Sequence, residues 1–364
     1  MANATNGSGC LSVLHLDAGQ AWAGGQNQVR QLMRRLAAAG VDQLCLCPQG
    51  SPLEQRLRQE GLPVEGIRWR GVGGLRTVSA VWRRMRGRDI VHCHDAHSLQ
   101  VALIPARLRG VRIVAARRVH FPTRRLKWNR ADRVVAISET VAAALAASGI
   151  SPEKVVLIRS GVDVEEISGL PPLAPLLRER LGIRPDEFLA GNIGHLYPYK
   201  GQSVIPEAAK LVAGVRWVII GEGPERGRLE AAVRDGALAD RVQLTGYVPD
   251  ARRALPELDL FVFTSTNEPL GTSVLDAMAR GVPVVGADAA GSAEILGPVH
   301  AVTRASLYPA GDARALAALV ERLRGSPGLR RRLVEEQFRR LEDFRIEKTV
   351  EGTLALYREL VGEA

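Results

Sequence analysis

Short, continuous apolar runs that alternate with longer helix-like segments constrain the fold of this chain more than any other feature. Polar residues do not break these runs at every second position, as they would in a strand with one wet face. Strands buried on both faces have this pattern, and they occur in parallel sheets covered by helices. The runs begin at Leu11, Gln43, Asp89, Arg112, Arg133 and Lys154, and then at Phe188, Val215, Arg241, Asp259 and Val282.

The series is interrupted once, by the proline-rich segment SGLPPLAPLL that begins at Ser168. Prolines stiffen such a connector, and 364 residues are enough for two domains of ordinary size. We therefore predict an α/β protein with two doubly wound, Rossmann-like domains, residues 1–167 and 168–345, and a cleft between them. Ligands of such sheets bind at the carboxyl ends of the strands, so the loops that follow the runs are the expected binding loops.

The positive charge is concentrated in the first part of the chain. Residues 1–170 contain 24 Lys and Arg against 13 Asp and Glu, whereas the whole chain contains 49 against 39. A cationic half implies an anionic partner, such as a phosphorylated lipid, a membrane surface, an acidic glycan or nucleic acid. Nucleic acid fits least, because no recognition motif accompanies the charge and aromatic residues are not interleaved with it.

Two clusters rich in arginine, from Arg68 to Arg88 and from Arg107 to Arg133, carry most of this charge. The segment LRTVSAVWRRMRGR from Leu75 predicts an amphipathic helix with Trp82 and Met85 beside arginines, and such a helix can lie on an anionic membrane. The alternative is a solvated basic face without a partner. The residues predicted to contact an anionic acceptor or a membrane are Arg83, Arg84, Arg86, Arg117, Arg118 and Arg124.

The amino-terminal segment MANATNGSGC is polar and lacks the basic and apolar regions of a secretory signal. No apolar run approaches the ~18 residues of a membrane-spanning helix. Cys10, Cys45, Cys47 and Cys93 show no paired spacing, which favours a reducing compartment. We expect a cytoplasmic protein whose basic half contacts the inner face of the plasma membrane.

The segment VHCHDAHS at residues 91–98 is rich in imidazole. His92, His94 and His97, together with Asp95, are residue types that bind Zn²⁺. Their spacing at a strand end does not point all of them in one direction. We therefore expect them to line the cleft, and we predict no metal site.

The stretch TNEPLGTSVLDAMARGVPVVG places a loop and a helix start directly after an apolar run. Free backbone N–H groups at a helix start bind anions, and Gly271 allows a phosphate to approach the backbone. Thr272 and Ser273 add hydroxyl groups. The carboxylates of Glu268 and Asp276 are suited to the hydroxyls of a sugar and a ribose. The alternative is an ordinary helix start whose acidic residues favour the helix dipole.

This stretch, and the rest of the chain, resemble the family-4 glycosyltransferases of GT-B architecture. That family has two glutamates with seven residues between them, then a small-residue helix and a GxPVV strand. Here Glu268 is followed at that spacing by Asp276, and AMARGVPVVG comes next. The chain departs from the family at Asp276, which is one methylene shorter than Glu, and at His195, where the family often has Arg. Further matching segments are AWAGGQNQV at 21–29, GNIGHLYPYKGQ at 191–202, IIGEGPERGRL from Ile219 and TGYVPD from Thr245.

The resemblance implies roles for the matching residues. Lys200 would neutralise the donor diphosphate, Glu268 would contact the transferred sugar and Asp276 would hold the ribose. His120 would lie near the reacting centre, with a packing histidine as the alternative. Residues 346–364 would form a helix that packs back on the first domain. The donor-binding residues expected in all are Gly24, Gly25, His195, Lys200, Gly221, Gly223, Tyr247, Glu268, Leu270, Gly271, Thr272, Ser273 and Asp276.

The resemblance also implies the activity. We expect a retaining, metal-independent glycosyltransferase that uses no cofactor, with His120, Lys200 and Glu268 as catalytic residues. It would move a sugar from a nucleotide sugar, with UDP favoured, to a lipid-linked, lipopolysaccharide or other glycan acceptor. Two alternatives remain, a nucleotide-sugar 2-epimerase and a non-catalytic protein that binds nucleotide sugars or glycans.

Overall fold

The computed structural model describes residues 11–70 and 74–362, so the segment MANATNGSGC with Cys10 lies outside the described residues. The contacts between residues divide the chain into two units. The first unit contains the chain up to Gly161 and again from Ile346, and the second runs from Val162 to Arg345.

The first unit is built on a parallel sheet of seven strands in the order β3-β2-β1-β4-β5-β6-β7. The inner strand β1 is buried throughout because its two faces enter different clusters of the core: Val13 packs in one, and Leu14 and Leu16 in another. The strands are β1 Ser12–Leu16, β2 Asp42–Pro48, β3 Val64–Ile67, β4 Ile90–Cys93, β5 Arg112–Arg117, β6 Arg133–Ala136 and β7 Val155–Leu157.

The helices of this unit come from both ends of the chain. The last helix shares a core cluster with Val13 and Leu36, and Glu347 pairs with Arg35 of the first helix at 3.0 Å. The helices are α1 Gly24–Ala38, α2 Pro52–Gln59, α3 Leu75–Arg84, α4 Ala96–Arg109, α5 Arg125–Trp128, α6 Glu139–Ala147 and α15 Ile346–Val361, with a 3-10 turn at Pro152–Lys154.

The second unit contains a parallel sheet of six strands in the order β10-β9-β8-β11-β12-β13. The strands are β8 Phe188–Ile193, β9 Val215–Ile220, β10 Val242–Gly246, β11 Leu260–Phe263, β12 Val284–Asp288 and β13 Leu307–Pro309. The helices are α7 Val164–Ser168, α8 Leu177–Leu181, α9 Val204–Leu211, α10 Arg226–Asp235, α11 Thr272–Ala279, α12 Ala290–Thr303, α13 Ala313–Arg324 and α14 Pro327–Leu341, with 3-10 segments at Pro198–Lys200, Ala251–Glu257 and Glu342–Phe344.

Two doubly wound parallel sheets are therefore present, as the apolar runs predict. The runs do not predict β3 or β13, which are edge strands of their sheets. Their sequences, VEGI and LYP, are short and contain polar or helix-breaking residues. The edge strands β7 and β10 do have apolar runs, so the short length and mixed composition of β3 and β13 leave these two without a signal.

The proline-rich segment lies within the second unit and does not connect the two units. Arg253 donates to the carbonyl oxygens of Pro171 and Pro172, at 3.0 and 2.6 Å, and so holds the segment against its own unit. The chain passes from one unit to the other after Gly161, six residues before the boundary at 167/168 that the prolines suggest, and again after Arg345.

The strand order reverses between β1 and β4 in the first sheet, and between β8 and β11 in the second. At such a reversal the loops on either side diverge and leave a crevice at the carboxyl ends of the strands, where doubly wound proteins bind ligands. The candidate residues His195, Lys200, Glu268 and Gly271 all lie in the loops after β8 and β11.

Within residues 11–70 and 74–362, no helix is long and apolar enough to cross a membrane. Cys45, Cys47 and Cys93 are buried, free thiols.

Candidate functional site

The second unit brings Lys200 and Glu268 together at its strand reversal. Lys200 Nζ donates to Glu268 Oε2, and the two side chains are 16% and 19% exposed. The first residue ends the 3-10 turn after β8, and the second lies in the loop after β11. A cation and a carboxylate that the sequence places 68 positions apart thus form one polar centre.

The loop that carries Lys200 is held rigidly by the loop after β11. Thr264 Oγ1 donates to the carbonyl oxygen of Lys200 at 2.6 Å, and Thr266 N donates to that of Tyr199 at 2.9 Å. Gly201 has a φ of +66° and lies so close to the carbonyl oxygen of Thr264 that a Cβ would overlap it. These contacts fix the direction of the Lys200 side chain before any ligand arrives.

Gly221 and Gly223 act through close packing of two backbones. A Cβ on Gly221 would overlap the carbonyl oxygen of Gly194, and a Cβ on Gly223 would overlap that of Leu196. Because both positions lack a side chain, Leu196 N can donate to Glu222 O at 2.9 Å. The two glycines therefore set the position of the loop that contains His195, whose side chain is exposed.

The start of α11 leaves backbone N–H groups open. Its N-cap is Gly271, with a φ of +94°, and no side chain caps the helix. A Cβ on Gly271 would lie 3.0 Å from Phe263 Cζ, so the position excludes larger residues. The hydroxyls of Thr272 and Ser273 have no hydrogen-bond partner among the described residues. The side chain of Leu270 is buried in the core, so only its backbone can face a ligand.

Asp276 lies inside α11 with Arg252, Asp250 and Glu166 around it. Burial, together with the nearby Asp250 and Glu166, raises its pKa to about 7, and the Arg252 guanidinium opposes this shift. Arg252 donates to Asp250 at 2.6 Å, and none of the described residues donates a hydrogen bond to Asp276. A carboxylate that is desolvated and without a donor is ready to accept hydroxyl groups from a ligand.

Tyr247 follows β10 and is 72% exposed, so its ring and its hydroxyl are both open to a ligand. Gly291, in the first turn of α12, donates from its backbone to the carbonyl oxygen of Glu268 at 3.0 Å. The start of α12 thus supports the Glu268 loop.

In the first unit, the Gly24–Gly25 pair forms the first turn of α1. Ala23, the N-cap, provides no side-chain hydrogen bond, and the first turn contains no acidic residue. Trp22 fixes the preceding loop, because the Arg56 guanidinium stacks on its ring at 4.0 Å. The open helix start therefore lies on an anchored loop at the carboxyl end of β1.

The histidines of the VHCHDAHS segment do not line an open surface as a group. His92 and His94 are buried with His15, a residue of β1 that the motif does not include, whereas His97 is exposed. The expectation that they all line a cleft is wrong, because side chains alternate along β4 and the chain turns into α4 at Asp95.

The ring nitrogens of the buried trio are close enough to hold a cation in principle. Hydrogen bonds already use several of them: His15 Nδ1 meets His94 Nε2 at 3.0 Å, and His92 Nδ1 meets the Tyr357 hydroxyl. Arg118 also points its guanidinium at His94, which disfavours a second cation there. Burial lowers the pKa of His15 to about 3, so its imidazole is neutral.

His120 and the arginines of the first unit differ in their surroundings. Both ring nitrogens of His120 are buried and have no partner among the described residues, so a packing role does not satisfy them. Arg117 is buried, donates to the carbonyl oxygen of Phe121 at 2.6 Å and lies over the Trp128 ring. The side chain of Arg117 is therefore engaged within the first unit, and its contact with an acceptor or membrane stays a prediction.

Four of the other arginines of that set, Arg83, Arg84, Arg86 and Arg124, are exposed on the surface and differ in their partners, whereas Arg118 is only half-buried and lies against His94. Arg84 pairs with Glu65 at 2.6 Å, and Arg83 donates to Ser79 at 2.8 Å. Arg86 and Arg124 are exposed, and neither side chain has a hydrogen-bond or ion-pair partner in the described structure. Trp82 of the same helix is covered by the Arg109 guanidinium at 3.9 Å, which reduces the apolar face of α3.

Family models match both units of the chain. The model described as "Glycosyltransferase Family 4" matches residues 22–166, and the model described as "Glycosyl transferases group 1" matches residues 175–340. The second match contains the Lys200–Glu268 pair and Asp276, and the first contains the Gly24–Gly25 turn and His120.

Curated relatives align over most of the chain. A lipopolysaccharide core biosynthesis glycosyltransferase, LpsD of Rhizobium meliloti, is 27% identical over 89% of this chain and 91% of its own. A 2-deoxystreptamine N-acetyl-D-glucosaminyltransferase of Streptomyces fradiae is 28% identical over 83% of this chain and 84% of its own.

Solved structures share the fold at low identity. Anabaena HepE, crystallised with UDP and glucose, superimposes with a TM-score of 0.82 at 21% identity. The superposition covers 96% of this chain and 100% of the HepE chain. A glycosyltransferase from Rickettsia africae gives a TM-score of 0.86 at 16% identity, over 98% of this chain and 100% of its own. With two Rossmann-type sheets, both family models and glycosyltransferase relatives along its length, the chain belongs to the group 1 glycosyltransferases of GT-B fold.

Proposed function

We propose that this glycosyltransferase moves a sugar from a UDP-sugar to an anionic, lipid-linked or lipopolysaccharide-type glycan, with retention of anomeric configuration and without a metal ion. The observation that carries the proposal is the Lys200–Glu268 pair beside the uncapped start of α11. Together they offer a fixed cation, open N–H donors and a carboxylate within one strand reversal.

A nucleotide sugar needs each of these groups. Lys200 and the N–H groups at the start of α11 would stabilise the negative charge of its diphosphate. Its ribose hydroxyls suit the unpartnered carboxylate of Asp276, and the hydroxyls of the transferred sugar suit Glu268. UDP as the nucleotide is supported by HepE, which was crystallised with UDP and with UDP-glucose.

The reaction requires that negative charge be stabilised on the leaving diphosphate while the bond from the anomeric carbon to the phosphate oxygen breaks. When diphosphate binds, Lys200 exchanges Glu268 for phosphate, and Glu268 is freed for the sugar. The acceptor oxygen then bonds to the anomeric carbon on the same face, and its proton passes to the leaving phosphate oxygen. His120, with two unpartnered ring nitrogens, positions the sugar or the acceptor hydroxyl.

The surface around His120 supports an acceptor with an anionic head and an apolar part. Phe121 and Leu126 are 53% and 73% exposed, and Val119 is exposed beside them. Arg124 lies between them in sequence, and LpsD, which acts in lipopolysaccharide core biosynthesis, is among the relatives. We place this surface, with Arg83, Arg84 and Arg86 of the basic half, at the cytoplasmic face of the plasma membrane.

The test is UDP release and product formation from UDP-sugars by the purified chain, with Lys200→Ala as the variant. Removing the cation that faces the diphosphate should reduce kcat by roughly 10²–10³-fold. Lys210→Ala is the matched control, because Lys210 pairs with Glu207 on an exposed face of α9 at 2.9 Å. Equal rates for both variants would refute the role of Lys200, and epimerisation of UDP-GlcNAc without an acceptor would establish the 2-epimerase instead.

A further inference from the structure

Two tyrosines directly before Lys200 form a stacked pair. A residue before proline is confined to extended backbone, and Tyr197 accordingly has a φ of −112° and a ψ of 154°. Pro198 then opens the 3-10 turn that ends at Lys200. The rings of Tyr197 and Tyr199 lie with their planes 10° apart and their centroids 5.9 Å apart, and both tyrosines are exposed. The sequence YPYK therefore builds an aromatic pair at the edge of the candidate site.

The Lys200 ammonium lies against this pair. Its Nζ is 5.6 Å from the centroid of the Tyr199 ring, within the ≈ 6 Å over which the negative face of an aromatic ring attracts a cation. The side chain of Lys200 is mostly buried, so water screens this attraction only weakly. The carbonyl oxygen of Tyr199 accepts from Thr266 N at 2.9 Å and from Thr266 Oγ1 at 3.2 Å. The ring is thus held in place by its own backbone and by the stacked Tyr197.

The Tyr199 ring is a neutral partner for Lys200, unlike the carboxylate of Glu268. Partial burial, together with the nearby Glu268 and Tyr197, raises the pKa of Tyr199, so the phenol keeps its proton. Neither tyrosine hydroxyl has a hydrogen-bond partner among the described residues. The contact with Lys200 therefore depends on the ring face. A neutral ring does not neutralise the cation, so it can keep its contact when a phosphate replaces Glu268.

We propose that Tyr199 is a positioning residue that holds the Lys200 ammonium at the donor diphosphate when Glu268 turns to the sugar, and that Tyr197 supports the Tyr199 ring. The inference rests on the proposed function, in which Lys200 exchanges Glu268 for phosphate. A lysine side chain has many rotamers, and ordering it costs conformational entropy. The ring would keep the ammonium in place at the moment when its carboxylate partner leaves.

The experiment measures UDP affinity of the full chain by calorimetry, and kcat with the UDP-sugar from which UDP is released fastest. Tyr199→Leu keeps the apolar bulk without an aromatic face, and it should lower both quantities by about three- to tenfold. Tyr199→Phe and Tyr199→Trp keep the face and should stay within about twofold of the wild type. Tyr197→Leu should have a smaller effect than Tyr199→Leu, because it removes only the support of the ring.

A fluorinated phenylalanine at position 199 separates positioning from packing. Its shape is close to that of phenylalanine, but fluorine withdraws the negative charge from the ring face, so its UDP affinity should fall towards that of Tyr199→Leu. The control is Phe338→Leu, because Phe338 is also an exposed aromatic residue of the second unit and packs beside Gly281 at the end of α11. Its UDP affinity should equal that of the wild type.

Two results would overturn the inference. The first is a UDP affinity of Tyr199→Leu equal to that of the wild type, and the second is an equal loss in Tyr199→Phe and Tyr199→Leu. A double-mutant cycle of Tyr199→Leu and Lys200→Met, followed by chemical unfolding without ligand, tests the contact itself. The cycle should show a coupling of about threefold or more in the folding equilibrium, and its absence would also overturn the inference. A wild-type chain that does not bind UDP would refute the proposed donor, and the cycle, which needs no ligand, would still decide whether Tyr199 positions Lys200.

Discussion

Lys200 and Glu268 form an ion pair in which each side chain keeps less than a fifth of its exposure. The pair joins the two loops at the strand reversal of the second unit. Because both charges are largely removed from water, the loss of one partner leaves the other with a desolvation cost that water only partly offsets. The same pair must open when an anion binds to Lys200.

We predict that Lys200→Met lowers the free energy of unfolding by about 1–3 kcal/mol in the absence of ligand. Adding Glu268→Gln should restore part of this loss, because no unpaired charge remains. Denaturant unfolding of the two single variants and the double variant measures the coupling. Lys210→Met with Glu207→Gln is the control, and this exposed pair should couple by less than about 0.5 kcal/mol. Equal coupling energies at both sites would contradict the assignment of a desolvated pair.

Asp276 should make stability depend on pH. Its pKa in the folded chain is about 7, above the ordinary 3.8, so the folded state binds the proton more tightly than the unfolded state does. Stability is therefore lost as pH rises from about 4 to about 7 and stays low above it. We predict that Asp276→Asn stabilises the chain by roughly 2–4 kcal/mol at pH 8, and much less at pH 5. The difference in thermal midpoint between variant and wild type at the two pH values measures this.

The same carboxylate should govern nucleotide binding in the opposite sense. An ionised Asp276 accepts from ribose hydroxyls more strongly than a protonated one, so UDP affinity should rise as pH passes through about 7 in the wild type. Asp276→Asn should bind UDP at least tenfold more weakly and should lose this part of the pH dependence. Calorimetric titrations of UDP into the wild type and into Asp276→Asn at several pH values measure this. Titration of the UDP phosphate affects both proteins equally, so the difference between their pH profiles reports on Asp276. Parallel pH profiles would exclude Asp276 from the ribose site.

Gly223 and Gly227 offer a matched comparison four residues apart. Ala at position 223 would drive a Cβ into the carbonyl oxygen of Leu196, whereas a Cβ at 227 meets nothing within 4 Å. Gly223→Ala should cost at least about 2 kcal/mol and weaken UDP binding, because the loop that carries His195 and Lys200 must shift. Gly227→Ala lies in α10 and should stabilise by roughly 0.5–1 kcal/mol. Chemical unfolding and UDP titration of both variants check this, and equal behaviour would contradict the packing role.

Much of this architecture can be predicted from the sequence because its signals are local. Continuous apolar runs mark the strands that have a neighbour on each side, and the loops after β8 and β11 can be identified from the runs before them. The edge strands β7 and β10 give the same signal. The edge strands β3 and β13 do not, because they are only 4 and 3 residues long and contain a Glu-Gly pair and a proline. The prolines near Ser168 mark a stiff segment, but proline content does not show to which unit the segment belongs. The hydrogen bonds from Arg253 to Pro171 and Pro172 attach it to the second unit.

Parts of the site depend on contacts between distant positions, which no local pattern encodes. His15 lies in β1 and reads as part of an apolar run, yet it completes the trio with His92 and His94. Arg252 lies in a 3-10 segment without a motif, and its position near Asp276 follows from the fold. Tyr357 reaches His92 from the last helix of the chain. In each case the partner is set by strand order and helix packing.

The apolar side chains around His120 should insert into a membrane. Phe121 and Leu126 are large, more than half exposed and close to Arg124 in sequence. Insertion into lipid would remove their apolar surface from water, which is favourable. We predict that the variant with Val119, Phe121 and Leu126 all changed to Ser binds vesicles of equal parts phosphatidylglycerol and phosphatidylcholine roughly tenfold more weakly. Flotation of the full chain measures this. The control changes Leu211 and Val302 to Ser, because both are exposed apolar residues of the second unit, and its binding should stay at the wild-type value. Equal flotation of the triple variant and the wild type would remove this surface from the membrane contact.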